Sequence, residues 1–236
     1  MLSENSLDFL AQLRDNNHKE WFAQNRDSYE KYRSELLTAA EKILQAIKRH
    51  DPHLANTKPS QCLFRINRDI RFSPDKRPYK THISLGFAPD GRKGDLAGYY
   101  IHFDQEESFV GGGMYMPPAP MLKKIRKDID LCWDEFTEIL HETQFVKYYG
   151  DLDMEESMML TRPPKGYEEN NPAIKYLKLK SFTATSPLEY NQLKDPHTVS
   201  MLIDRLLPLR DFLHFLNRAV LSEDEPQIIL KPFLKN

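Results

Sequence analysis

The sequence predicts an α+β protein in which a mainly antiparallel central sheet is flanked by N-terminal and C-terminal helices. Three observations predict it. Apolar residues recur at helical spacing through the first fifty positions, the period shifts towards two between Cys62 and Gly113, and helical spacing returns after Pro117, Pro118 and Pro120. The order helices, strands, helices, in place of strict strand–helix alternation, disfavours a doubly wound parallel sheet. A chain of 236 residues, 40% of them hydrophobic, supports a sizeable core, and it shows no repeat or linker-like stretch. It is therefore read as one domain over 1–236: helical 1–55, sheet core 60–115, helices with additional short strands 118–222, and a tail 223–236.

Each element has a local reason. Ser6 is a suitable N-cap before Leu7, Leu10 and Leu13, and Asn16-Asn17 mark a break ahead of Trp21-Phe22. Tyr29, Tyr32, Leu36, Ala40, Ile43 and Ile47 form the buried stripe of a longer helix that Asp51-Pro52 stops. Phe64/Ile66, Ile83/Leu85/Phe87 and Tyr99/Ile101/Phe103 each read as one face of a strand, with Pro89-Asp90-Gly91 as a turn and Glu107–Gly111 as a further strand. Leu122, Ile125 and Ile129, then Trp133, Phe136 and Leu140, give two helical segments. Met154–Leu160 reads as a short strand, Arg162–Pro172 as a loop, Ala173–Leu179 as a short helix and Ser181–Ser186 as another strand. The stripe from Val199 to Val220 is a helix that Pro208 kinks or divides.

Composition excludes several classes. Lys+Arg number 33 against 35 Asp+Glu, a net charge of −2, so no broad basic surface for nucleic acid is expected. No apolar run approaches the ~18–20 residues of a membrane helix, and the N-terminal residues lack the pattern of a signal peptide, so a cytoplasmic, membrane-free protein is expected. Cys62 and Cys132 lack CxxC spacing and read as buried free thiols.

The most unusual stretch runs from Arg65 to His82. Arg65, Arg68, Arg71, Lys76, Arg77 and Lys80 against Asp69 and Asp75 leave +4 there, so the remaining residues carry −6. Such local concentration is the footprint of a site for an anion. On a strand, Arg65, Asn67, Asp69 and Arg71 share a face, and an aspartate between arginines can orient a guanidinium fork for phosphate or carboxylate. The same run also fits a solvated edge strand whose charges block aggregation. Ser73-Pro74-Asp75-Lys76 is a turn, and Pro78 stiffens a loop that presents Lys76, Tyr79, Lys80 and His82.

On the next strand His102 and Asp104 alternate with apolar residues. They suit an acid/base pair or, with further ligands from Asp69, Asp75 or His82, a metal; no spacing is diagnostic, and no metal is assigned. Gly111-Gly112-Gly113 could let backbone N–H groups approach a ligand. Lys123, Lys124, Arg126 and Lys127 sit near a helix N-terminus, where cations oppose the macrodipole, and Arg126 borders the apolar stripe. Thr161–Tyr167, with Arg162, offers another basic loop. Neither a Walker loop nor a dinucleotide fingerprint is present, so no cofactor is assigned.

The set Asn16-Asn17 with Trp21-Phe22, Phe64-Arg65 with Arg68-Asp69, Arg71-Phe72-Ser73 with Asp75-Lys76, Pro78-Tyr79-Lys80 with His82, Gly98-Tyr99-Tyr100 with His102, Gly111-Gly112-Gly113 with Pro117, and Arg162-Pro163 with Gly166-Tyr167 resembles the bacterial and fungal family called domain of unknown function 2461. The resemblance spans roughly residues 5 to 220. It implies a single-domain protein and points to Arg65, Arg68, Asp69, Arg71, Asp75, Lys76, Tyr79, Lys80 and His82, but it implies no activity. Asn171 before Pro172 departs from the histidine–proline pair associated with the family.

The expectation is a pocket for a phosphorylated or otherwise anionic small molecule. Arg65, Arg68, Arg71, Lys76, Tyr79, Lys80, Arg126 and Arg162 would bind the anion, and Asp69, His82 and His102 would act as acid or base. A nucleic-acid-binding protein using the same cations, and a non-enzymatic interaction protein, are the alternatives.

Overall fold

The structure, a computed structural model, describes residues 1–222; the expected tail 223–236 lies outside the described residues. Three helices open the chain: α1 (Glu4–Asp15), α2 (Lys19–Gln24) and α3 (Arg26–Lys48). Ser3, rather than Ser6, caps α1, its hydroxyl accepting from Ser6 N at 3.3 Å. The cap lies one turn earlier than apolar spacing suggested because both serines are gathered by the Glu35 carboxylate of α3. Asp51 ends the first layer, accepting from His53 N at the start of a 3-10 turn over Pro52–Leu54.

After α4 (Pro59–Cys62), strands β1 (Ile83–Phe87), β2 (Gly98–Phe103), β3 (Ser108–Met114) and β4 (Phe182–Leu188) form a sheet in the order β1-β2-β3-β4, antiparallel throughout. Helices α5 (Ala119–Leu131), α6 (Trp133–Leu140), α7 (Thr143–Tyr149) and α8 (Ile174–Leu177) connect β3 to β4, and α9 (Thr198–Leu206) and α10 (Arg210–Leu221) follow. Pro208 sits in the 3-10 turn that divides the last two, as its missing N–H requires.

Strand alternation builds the core. Ile83, Leu85 and Phe87, Tyr99, Ile101 and Phe103, Val110, and Phe182 and Ala184 are buried and belong to one continuous core with α1, α3, α5, α6, α9 and α10. A Cβ on Gly112 would meet Leu209 Cδ1 and Leu213 Cδ2 at 3.0 and 3.4 Å, so its bare Cα is what lets these side chains reach β3. Buried Asn217 of α10 locks the β1–β2 connection by accepting from Ala97 N at 2.7 Å and donating to Ala97 O at 3.1 Å.

Further expectations change. The Phe64–Arg71 segment is not a strand: residues 63–82 form an irregular arm, closed by Arg68 N donating to Pro78 O (2.9 Å), Lys80 N donating to Ile66 O (2.8 Å) and isolated bridges at Leu63–Leu85 and Asn67–Tyr79. Pro74 and Pro78 cannot donate ladder bonds, and the acidic side chains bind neighbouring backbone N–H groups instead. The Met154–Leu160 segment is a 3-10 turn with one bridge, Met159–Leu179, not a strand. Gly111-Gly112-Gly113 lies inside β3 and pairs with Thr185, Ala184 and Thr183 on β4, so its backbone is committed to the sheet rather than to a ligand loop. Helix α7 had no counterpart in the sequence reading; Glu142 caps it by accepting from Gln144 N and Phe145 N. Cys62 is a buried free thiol, as expected, and burial pushes it up to about 12; Cys132 is free but only half-buried.

Candidate functional site

The face of the sheet opposite the core carries Ser84, Tyr100, His102 and Phe109 in register: Ser84 opposes His102, and His102 opposes Phe109. The arm lies against this face. Phe64 meets Tyr100 edge-on at 5.8 Å, and the ring of His82, immediately before β1, lies tilted by 39° against that of His102 with centroids 4.7 Å apart. At the arm's root, the side chain of Asn17 donates to Tyr79 O and accepts from Tyr79 N, both at 3.0 Å, while the Tyr79 ring stacks on Phe22 at 4.1 Å. Tyr79 thus anchors Lys80 and His82 and is itself spent on packing.

Between the arm, α3 and β1 is a cavity of about 310 Å³. Its lining holds Arg33, Arg65, Lys80 and Arg92, with His82 and Ser84, and contains no carboxylate. Lys80 and Arg92 both lie over the Phe64 ring, at 5.2 and 5.1 Å. Burial, then the Arg92 and Arg65 charges, hold the Lys80 ammonium below its ordinary pKa. Among the described residues, Arg33, Arg65 and Lys80 make no ion pair with a carboxylate.

A second recess of about 270 Å³ shares Lys80 and His82 with this cavity and adds Arg14, Arg68, Asp75, Arg77 and Asp104. His82 is driven down to about 4, by burial first, then by His102 and Lys80, so its imidazole is neutral at pH 7. Burial lowers His102 as well, against the pull of Asp104 and Glu107. The His102 Nδ1 lies 3.3 Å from Ser84 Oγ, and Tyr100 OH donates to that same Oγ at 3.0 Å.

The structure gathers Arg65, Lys80 and His82 at the first cavity, and His102 beside His82. It places the other expected residues elsewhere. Arg68 reaches the recess but is occupied by Asp75 Oδ2 (2.7 Å) and Arg77 O. Asp69 does orient an arginine fork, that of Arg71, but this pair is exposed near the tip of the arm and lines neither hollow. The Arg71 side chain holds the Asp69 carboxyl down to about 2. Lys76 donates to Ile70 O. Arg162 is exposed and lines neither hollow.

The cations of α5 have another explanation. Lys124 donates to Val220 O and Ser222 O at the C-terminus of α10, and Arg126 donates to Leu179 O just beyond α8. They complement the carbonyl ends of neighbouring helices, which outweighs their unfavourable place on their own helix. Asn171, the departure from the family pattern, lies ahead of α8, where its side chain accepts from Ala173 N and donates to Asp130.

Sequence reasoning missed Arg33, which lies on the exposed side of α3, and Arg92, which follows the Pro89-Asp90-Gly91 turn in a polar loop. It also missed a second cluster on the helical side. Asp51, 2% exposed, accepts from Tyr99 OH at 2.7 Å and from His53 N, and its Oδ1 lies 3.0 Å from His214 Nε2. Among the described residues, two groups have donor atoms within 4.8 Å of one another, close enough to hold an ion: His82/His102/Asp104 and Asp51/His53/His214.

Fold and site together define an α+β protein whose antiparallel sheet carries helices on one face and a cation-lined hollow on the other. The chain belongs to the family described as conserved hypothetical protein (DUF2461), whose model matches residues 5–215. No curated protein and no solved structure matches it.

Proposed function

We propose that this protein binds a phosphorylated or otherwise anionic small molecule in the cavity lined by Arg33, Arg65, Lys80 and Arg92, with the reactive centre of an enzyme at the adjoining His82 and His102. The observation that carries this reading is the lining itself: four cations converge on about 310 Å³ without one carboxylate. Like charges held together are costly unless an anion enters between them, and a partly desolvated site strengthens that attraction. Lys80 records the strain: burial, and after it the Arg92 and Arg65 charges, lower its affinity for a proton.

The size of the cavity favours a small ligand over a polymer. An extended nucleic acid needs a stripe of free cations, whereas Arg68, Arg71, Lys124 and Arg126 are engaged by carboxylates or backbone carbonyls. Among the described residues no helix is long and apolar enough to cross a membrane.

The test is calorimetric titration with inorganic phosphate, pyrophosphate, sugar phosphates, nucleotides and short oligonucleotides. Lys80→Ala and Arg65→Ala should each weaken the binding of whichever small anion is held by roughly ten- to a hundredfold, the loss expected for a charged hydrogen bond. Affinities unchanged in both variants, or no binding of any small anion at low salt, would remove this reading.

A further inference from the structure

We propose that His82, His102 and Asp104 form a mononuclear site for a divalent first-row transition-metal ion beside the cation-lined cavity. The three residues come from the arm's end and from β2, and their donor atoms lie within 4.8 Å of one another. At metal–ligand distances of roughly 2.0–2.2 Å, two donors of one ion stand at most about 4.4 Å apart, so closure needs side-chain shifts of less than about 1 Å.

The chemistry of the donors fits. Two imidazoles and one carboxylate are a borderline set that suits zinc or iron and leaves coordination positions open for water or substrate. Each imidazole must be neutral to ligate. Ligating histidines hold their second ring nitrogen against a fixed polar group, which sets the tautomer. For His102 that group is Ser84 Oγ, itself held by Tyr100 OH, and Nε2 is left without a protein partner among the described residues. Neither ring nitrogen of His82 has a protein partner there, and neither is a buried orphan. Asp104 uses Oδ1 for Glu106 N and Arg14, leaving Oδ2 unengaged.

The Asp51/His53/His214 group does not compare. Both Asp51 oxygens are already taken, by Tyr99 OH on one side and by His53 N and His214 on the other, so that cluster is complete without an ion.

The surroundings indicate what the ion would work with. Arg14, Arg68, Arg77 and Lys80 share the recess with His82 and Asp104 and disfavour a lone cation, so the site gains most when an anion bridges metal and lysine. This bridging rests on the anion reading; the metal site itself does not. A bound ion would supply a Lewis acid for a phosphoryl or carboxyl oxygen delivered from the cavity.

The experiment uses the full chain, stripped with chelator and titrated with Co²⁺ and Zn²⁺, with no other ligand present. One ion per chain is expected, Co²⁺ giving visible bands of nitrogen–oxygen ligation. Binding should weaken at least about tenfold in His82→Ala, His102→Ala and Asp104→Asn and stay unchanged in Arg65→Ala, which separates this proposal from the anion pocket. Because a variant can fail to fold, Mn²⁺ is added to the unaltered protein and histidine ring resonances are followed. Broadening at His82 and His102 ahead of the other histidines supports the site. Broadening centred on His53 and His214, or Co²⁺ affinity equal in wild type and a folded His82→Ala/His102→Ala variant, would overturn it.

Discussion

The rings of His82 and His102 face each other at a 39° tilt with centroids 4.7 Å apart, although His102 belongs to β2 and His82 ends an irregular arm. The pairing of Ser84 with His102 sets the spacing: His82 precedes Ser84 by two positions, one pleat further along the same face. The Ser84 hydroxyl, held by Tyr100, then faces the imidazole and fixes its orientation. Tyr100→Phe removes that donor while leaving the ring's packing on Phe64 and Phe109. Co²⁺ affinity should fall about tenfold with Tm nearly unchanged, since the residue positions a ligand rather than serving as one. An unchanged affinity would show that the hydroxyl pair orients nothing.

The free cations and the paired ones should separate experimentally. Arg71→Ala, Lys76→Ala and Arg162→Ala should leave anion affinity within about twofold of wild type, because these side chains are exposed and lie outside the cavity. Calorimetry against Lys80→Ala makes the comparison. A large loss in Arg71→Ala would mean that the arm folds over the ligand.

Asp51 ties three elements: the turn after α3, the sheet through Tyr99 and α10 through His214. Asp51→Ala strands a buried tyrosine hydroxyl and a backbone N–H, at a cost of about 3 kcal/mol or more. Urea denaturation should shift accordingly, and a loss below about 1 kcal/mol would contradict the network.

Gly113 has φ of 132° inside β3, and a Cβ there would run into Phe182 O. Gly113→Ala should cost about 2–4 kcal/mol through strain and overpacking. Equal denaturation midpoints for the two proteins would mean that β4 moves aside easily.

For Glu35, partial burial pushes the carboxyl up, but the Ser3 N–H and the Ser3 and Ser6 hydroxyls outweigh it and hold the pKa below the ordinary 4.5. The folded protein therefore releases this proton more readily than the unfolded chain. Its stabilising effect is present above about pH 4.5 and is lost as the pH falls through the lower folded value. Glu35→Gln should show a shallower loss of Tm between about pH 5 and pH 3 than wild type. Parallel pH profiles would remove Glu35 from the account.

The sequence by itself determined what depends on short-range periodicity. The α3 stripe from Tyr32 to Ile47, the inward faces of β1 and β2, and the division of the last helix at Pro208 are where spacing placed them, because burial rewards a fixed period and proline lacks a donor. The basic arm was visible too, as a charge excess over 65–80. Which of its cations stand free was decided only by the tertiary structure. Arg68 and Arg71 find carboxylates within seven positions of themselves, while Arg65 and Lys80 meet Arg92 and Arg33 across the fold. Lys124, near a helix N-terminus where cations are unfavourable, is used by the carbonyls at the end of α10, and Asp51, legible only as a helix stop, became a buried hub. Charge can be counted along a chain, but whether a charge is paired depends on what folding brings within about 4 Å of it.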